Sequence, residues 1–312
     1  MSVSFLPLPE TAIPVSAATR AEAPSPRRIR IGMPHMDAGG LSENWLLRHC
    51  GDLHWEAITR RLGVAIDEIR GEGQQRLYPT VIALRGRYSS PLSTVREDDV
   101  LCASVELVPC GSACAHGRVA ASVGERRFSI ELLTTFAQRQ EDGALRMALP
   151  AARLASRWTP MGPPPPLAQL AKAARRGEPL PDAFSGPRLQ PAGAPLGETT
   201  YEPSPYADYN GAGLLYFASY ATIADTVERR LVRRLRLAPA NITDWATATS
   251  PVRRDVFFYR NLPLGETLLV ELLAFEREHS GSVKTRVRLR REQDGTAIAD
   301  VVTRRAFVSE RT

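Results

Sequence analysis

The feature that most limits what this chain can fold into is a repeat of itself. Residues 32–47 read GMPHMDAGGLSENWLL and residues 206–220 read YADYNGAGLLYFASY. In each string an acidic residue, Asp37 or Asp208, stands three positions before a glycine, Gly40 or Gly211, and a bulky pair follows, Trp45-Leu46 or Tyr216-Phe217. Each leads into a stretch with apolar residues at helical spacing. The first carries Leu46, Cys50, Leu53, Ala57, Ile58 and Leu62, and the second Leu214, Phe217, Ala221, Ala224, Val227 and Leu231. Gly63 predicts the end of the first helix.

The repeat continues beyond the helices. A short strand, RIRIG, precedes the first copy, and four strand-like runs follow it at 76–88, 98–109, 115–123 and 126–139. The second copy is followed by runs at 253–260, 266–277, 282–291 and 297–308, and REDDVLCASVELV in the first half is echoed by LPLGETLLVELLAF in the second. Their alternation suits antiparallel sheets with one face covered, and a long helix after the first strand must bury its stripe on that face. The spacing therefore predicts a duplicated α+β chain with units at 28–149 and 197–312. Residues 1–27, rich in Ala, Pro and Ser, read as a loose arm. Residues 150–196 read as a proline-rich connector containing one short helix candidate in MGPPPPLAQLAKAARRGEPLPDAF.

With 312 residues and 43% hydrophobic content, two medium-sized cores are within reach. No run approaches the roughly 18 apolar residues of a membrane span, and no basic segment leads into an apolar one at the N-terminus, so a cytoplasmic protein is expected. The formal charge of +6 is carried almost wholly by arginines spread along the chain; Lys172 and Lys284 are the lysines. That distribution argues against a nucleic-acid patch. It suits steering of acidic partners, such as the nucleotide of coenzyme A or an acidic carrier protein. Cys110-x3-Cys114 with His116 nearby resembles half a zinc site, but the second ligand pair is missing; reduced structural thiols and no metal are expected.

A helix start leaves backbone N–H groups without intrahelical partners at the positive end of the macrodipole, and glycines there let another group approach closely. Gly39, Gly40 and Leu41 in the first copy, and Asn210, Gly211 and Ala212 in the second, are thus candidates to receive an anion or a carbonyl oxygen. An Asp or Asn in such a place also reads as an ordinary N-cap; the duplication favours a site. His35, Asp37 and Asp208 are candidate acid–base groups, whereas His49 and His54, five apart, share no helix face and read as structural.

A strand followed by a long helix and a sheet to wrap it resembles the hot-dog fold, and two copies resemble a double hot-dog. GMPHMDAGGLSENWLLRHCGDLHW together with YADYNGAGLLYFASY is similar, over most of the chain, to the leinamycin-pathway (LnmK-type) family of bifunctional acyltransferase/decarboxylases of polyketide biosynthesis. The resemblance implies that methylmalonyl-CoA is decarboxylated through a thioester enolate and a propionyl group delivered to an acyl carrier protein, with no cofactor. It also implies edge-to-edge sheet pairing, including a homodimer. The family's key tyrosine matches Tyr78 of RLYPTV by its position at the start of the strand after the first helix. Tyr78 as nucleophile and Tyr78 as hydrogen-bond donor both remain open. Pro79 holds Tyr78 in extended geometry. The chemistry needs donors at the enolate oxygen and a poorly solvating pocket, for which Trp45, Tyr216 and Phe217 are candidates. Three competing readings stand beside it: a hot-dog acyl-CoA or acyl-carrier thioesterase using Asp37 or Asp208, a dehydratase or hydratase pairing His35 with Asp208, and a non-catalytic carrier-docking scaffold.

Overall fold

The computed structural model describes residues 26–140, 144–178, 194–240, 242 and 244–308. Residues 1–25 of the expected arm and 179–193 of the expected connector lie outside these. The first half runs β1 (Arg27–Arg30), a tight hairpin β2 (Met36–Asp37) and β3 (Gly40–Leu41), then α1 (Glu43–Leu62). It continues with β4 (Tyr78–Tyr88), β5 (Val100–Gly111), β6 (Cys114–Val123), β7 (Arg126–Arg139) and β8 (Leu145–Met147). Two short helices follow, α2 (Ala152–Ala155) and α3 (Pro166–Arg175). The second half runs β9 (Gly197–Tyr201), α4 (Ser219–Arg234), α5 (Trp245–Ala248), β10 (Thr249–Phe258), β11 (Leu268–Arg277), β12 (Val283–Arg291) and β13 (Ala297–Phe307).

Apart from the β2–β3 hairpin, the strands form one antiparallel sheet in the order β1-β5-β6-β7-β4-β10-β13-β12-β11-β9, with β8 beside β7. Read outward from the middle, the two halves have the same order, so β1 corresponds to β9 and β4 to β10. The join is the β4–β10 ladder, from Arg87↔Arg253 to Ala83↔Phe257. Both long helices lie on one face of this sheet, an arrangement compatible with the expected double hot-dog. Leu46, Leu47 and Leu53 of α1 and Ile223, Val227 and Leu231 of α4 share one core with Leu84, Leu132, Val256 and Val301 of the strands. Burial of each such side chain contributes about 1.5–3 kcal/mol. Alternate residues, Ala83, Leu133 and Phe257, face the other side, where the short helix expected in the connector, α3, covers them with Leu167, Leu170 and Ala171.

α1 has the boundaries its caps dictate: Ser42 accepts from the Trp45 amide, and Gly63 closes the helix in the left-handed region at φ 65°. α4 departs from expectation. It begins at Ser219, eleven residues after Asp208, whereas α1 begins six after Asp37. Leu214 and Phe217, read as part of the helical stripe, are buried in the loop before it. Asn210 explains the delay, because its Oδ1 accepts from the amides of Ala212 and Leu214 and its backbone N–H donates to the Leu214 carbonyl. This turn competes successfully with helix over residues whose spacing alone suits a helix.

Between the helices lies a buried ion network. The Arg254 guanidinium, on β10, donates to Glu43 at 2.6 Å and to Asp225 at 2.8 Å, while Arg305 pairs with Asp225 and, at 2.8 Å, with Glu228. Tyr88 completes the Glu43 shell with a 2.6 Å hydrogen bond. Such a network is tolerated in a core because each charge is both paired and hydrogen-bonded.

Candidate active site

A cleft of about 1170 Å³ opens where the two halves meet at one end of the sheet. Its origin is a mismatch in strand length. β10 stops pairing with β4 at Ala83↔Phe257, but β4 continues with β7 as far as Tyr78↔Ala137. The segment Tyr78–Ile82 is thus a strand edge facing open space, which is where a proline without an N–H is tolerated, and Pro79 sits in it. The remaining walls come from the 210–217 loop, Tyr220 in the first turn of α4, the 258–263 segment after β10, and α3.

Tyr78 is half-buried on this wall, with the Arg76 guanidinium 4.9 Å from its ring and its carbonyl accepting from the Thr80 hydroxyl at 3.1 Å. Tyr216 lies against Arg48, 4.7 Å away, and Arg48 also donates to the Ala207 carbonyl and to Ser219 Oγ, so α1 holds the loop in place. Burial, reinforced by Asp52, raises the Tyr216 phenol; burial raises Tyr220 as well. Both therefore remain protonated donors at neutral pH. Glu266 pairs with Arg291 at 3.2 Å on the rim, and Asn261 holds Leu215 through its amide N–H and carbonyl. Among the described residues, Trp55 Nε1 and Thr135 Oγ1 are included in the buried polar atoms of the cleft lining that have no hydrogen-bond partner. A buried donor left unmatched costs about 1–3 kcal/mol, a cost that a polar ligand group can relieve.

The residues singled out by the repeat divide between two places. Tyr78, Asn210, Gly211 and Ala212 line the one cleft. Gly211 and Ala212 are not the first residues of α4, and the Ala212 amide is taken by Asn210, so they form the wall rather than a row of helix-terminal donors. Tyr216, Phe217 and Tyr220 bring the true start of α4 to the cleft, and Ala218 provides no side-chain cap there.

The first copy has another role. Gly39, Gly40 and Leu41 belong to the β2–β3 hairpin; Leu41 is buried, and a Cβ on Gly40 would run into the Ser93 backbone and come within 2.6 Å of the Leu92 carbonyl. Asp37 accepts from the Gly39 amide at 2.8 Å, and His35 Nδ1 from the Gly32 amide at 2.9 Å, beside the Trp45 ring. Asp208 accepts from the Ser204 amide at 2.8 Å and the Tyr201 hydroxyl at 3.1 Å. The His35–Asp208 pair of the dehydratase reading is therefore not formed. Trp45 stacks on His49 and meets a tilted His35 ring, and it does not line the cleft. Periodicity missed Trp55, Thr135 and the α3 residues Lys172 and Arg175, because only sheet register and the packing of α3 bring them to the cleft.

No protein-family model matches the chain, and no curated protein matches it in sequence. Solved structures do match in fold. A protein assigned as an oleoyl thioesterase from Lactobacillus plantarum superposes with a TM-score of 0.63 at 14% identity, over 93% of this chain and 99% of that one. The 12:0-ACP thioesterase from Umbellularia californica does so at 0.62 and 8% identity, over 91% and 94%, and an acyl-ACP thioesterase from Bacteroides thetaiotaomicron at 0.56 and 11%, over 91% and 97%. At these identities the likeness is one of fold, and it spans both halves. Among the described residues no helix is long and apolar enough to cross a membrane.

Proposed function

We propose that this chain is a double hot-dog enzyme acting on acyl groups carried as thioesters by coenzyme A or an acyl carrier protein. The observation that carries the reading is the single cleft that Tyr78 shares with the start of α4. Its volume suits an acyl group with part of a pantetheine arm. Phe217 and Phe258 supply apolar wall, and Arg76, Lys172, Arg175 and Arg260 supply cations suited to phosphate. The start of α4 borders the cleft, and its positive end would stabilise charge developing on a thioester oxygen there.

Two reactions fit that site. Hydrolysis is supported by the likeness in fold to acyl-ACP thioesterases. Decarboxylative transfer from methylmalonyl-CoA to a carrier protein is supported by the phenols of the cleft wall, Tyr78, Tyr216, Tyr220 and Tyr259, which share that wall with the carboxylates Glu266 and Asp294. Departure of CO2 requires no base. The electrons of the breaking C–C bond flow into the thioester carbonyl, the enolate oxygen is stabilised at the start of α4, and Tyr78 gives a proton to carbon. The carrier's thiol then attacks the propionyl carbonyl, its proton passes to the Tyr78 phenolate, and coenzyme A leaves as its thiolate. The test is to incubate the protein with methylmalonyl-CoA plus holo carrier protein, and separately with acyl-carrier thioesters of graded length, following carrier mass and free thiol. Free acid with free thiol supports hydrolysis. Propionyl-carrier supports decarboxylative transfer. Every thioester surviving intact overturns the proposal.

A further inference from the structure

Four cysteines are present, and two of them meet. Cys110 lies at the end of β5 and Cys114 opens β6; their sulfurs are 3.0 Å apart across the hairpin. The ladder shifts register between Pro109 and Gly111, so Cys110 falls outside the regular pairing and comes beside Cys114. A disulfide bond is about 2.05 Å long, so closure requires each sulfur to move by only about half an ångström. Cys114 borders the large cleft and also a second cavity of about 430 Å³ lined by Gly111, Ser112, Ala113 and Met147. A small reagent therefore has a route to it. Cys50, by contrast, is sealed in the core and burial pushes its thiol up.

We propose that Cys110 and Cys114 are a redox-active dithiol that closes to a disulfide on the cleft wall by exchange with a low-molecular-weight disulfide. One thiolate of the pair attacks one sulfur of the reagent, whose S–S bond breaks and whose other half leaves as a thiol. The second cysteine then gives up its proton and attacks the mixed disulfide at the first, releasing the second reagent thiol. Two protein thiols lose two electrons, and one reagent disulfide becomes two thiols. Sharing of a proton across the 3.0 Å contact eases loss of the first proton from the pair, and the thiolate so formed is the nucleophile.

The test uses the full-length native protein treated with glutathione disulfide, then denatured, alkylated and digested with trypsin. Residues 97–118 form one peptide containing Cys102, Cys110 and Cys114. The expected result is that peptide lighter by two hydrogens and alkylated at Cys102 alone, with no fragment ions between 110 and 114; dithiothreitol restores three alkylated sites. The loop persists in Cys102→Ser and is lost in Cys110→Ser. Three free thiols after oxidation, closure through Cys102, or arrest at a glutathione adduct would each overturn the assignment.

Discussion

The starts of α1 and α4 come from the repeated string, yet they meet different surroundings. At α1, Ser42 caps the helix, Gly40 is pressed against the Leu92–Ser93 backbone, and the first-turn carboxylate of Glu43 is bound by Arg254 and Tyr88. At α4, Ala218 supplies no cap, the first turn has no acidic residue, and Tyr216, Phe217 and Tyr220 border open space. A helix terminus is a potential anion site in either case. What decides between site and strut is whether the fold already delivers a partner.

That contrast can be tested from both ends. The largest effect is expected from Tyr78→Phe, which removes one hydroxyl from the cleft beside α4. Turnover of thioester should fall by about 10²–10⁴ with the urea midpoint unchanged; retained turnover would detach chemistry from this cleft. At the α1 end, Arg254→Met leaves buried Glu43 and half-buried Asp225 without their main cation. Urea unfolding should show a loss of about 3–5 kcal/mol, and a loss below about 1 kcal/mol would mean that the network is not holding the helices together.

The paired glycines give a more direct comparison. Gly40 has φ 112°, which side chains rarely adopt, and no room for a Cβ; Gly211 has open space within 4 Å. Gly40→Ala should cost about 1–3 kcal/mol or more, and Gly211→Ala within about 0.5 kcal/mol. Equal costs would erase the distinction.

The last comparison, read as a slope against pH, concerns His54 inside α1. It is fully buried, bonded to Thr134 at 2.6 Å and pressed against Gly117, and burial with help from His116 lowers its pKa to about 3. Between that value and about 6.5 the unfolded chain binds a proton that the folded one does not. Stability therefore falls as pH drops through this window, by about 1.4 kcal/mol per pH unit. His54→Gln should flatten the slope measured by denaturation at graded pH; an unchanged slope would place the titration elsewhere.

Much of the architecture was legible before any coordinates. Two helices and eight long strands follow from periodicities of 3.6 and 2, since those patterns record which face of each element is buried. The helix at α3 was also legible, within a stretch read as connector. The site was legible only in part. Tyr78 and the 210–212 stretch could be singled out because they sit at recognisable junctions, but the equivalence of the two loops misled. Asn210 builds a turn by bonding its own neighbours, whereas Asp37 bonds Gly39 within a hairpin, and such local competition leaves no periodic trace.

By itself, then, the sequence determined the repeat, the faces of its elements and the punctuation of α1, because these depend on residues near one another in the chain. Only the tertiary structure decided which helix start is sealed and which opens on a cleft. That outcome depends on Arg254 reaching Glu43 across 211 positions and on β10 ending before β4 does. Contacts between distant segments are selected by packing and by pairing of buried charge, neither of which is written in the spacing of either partner.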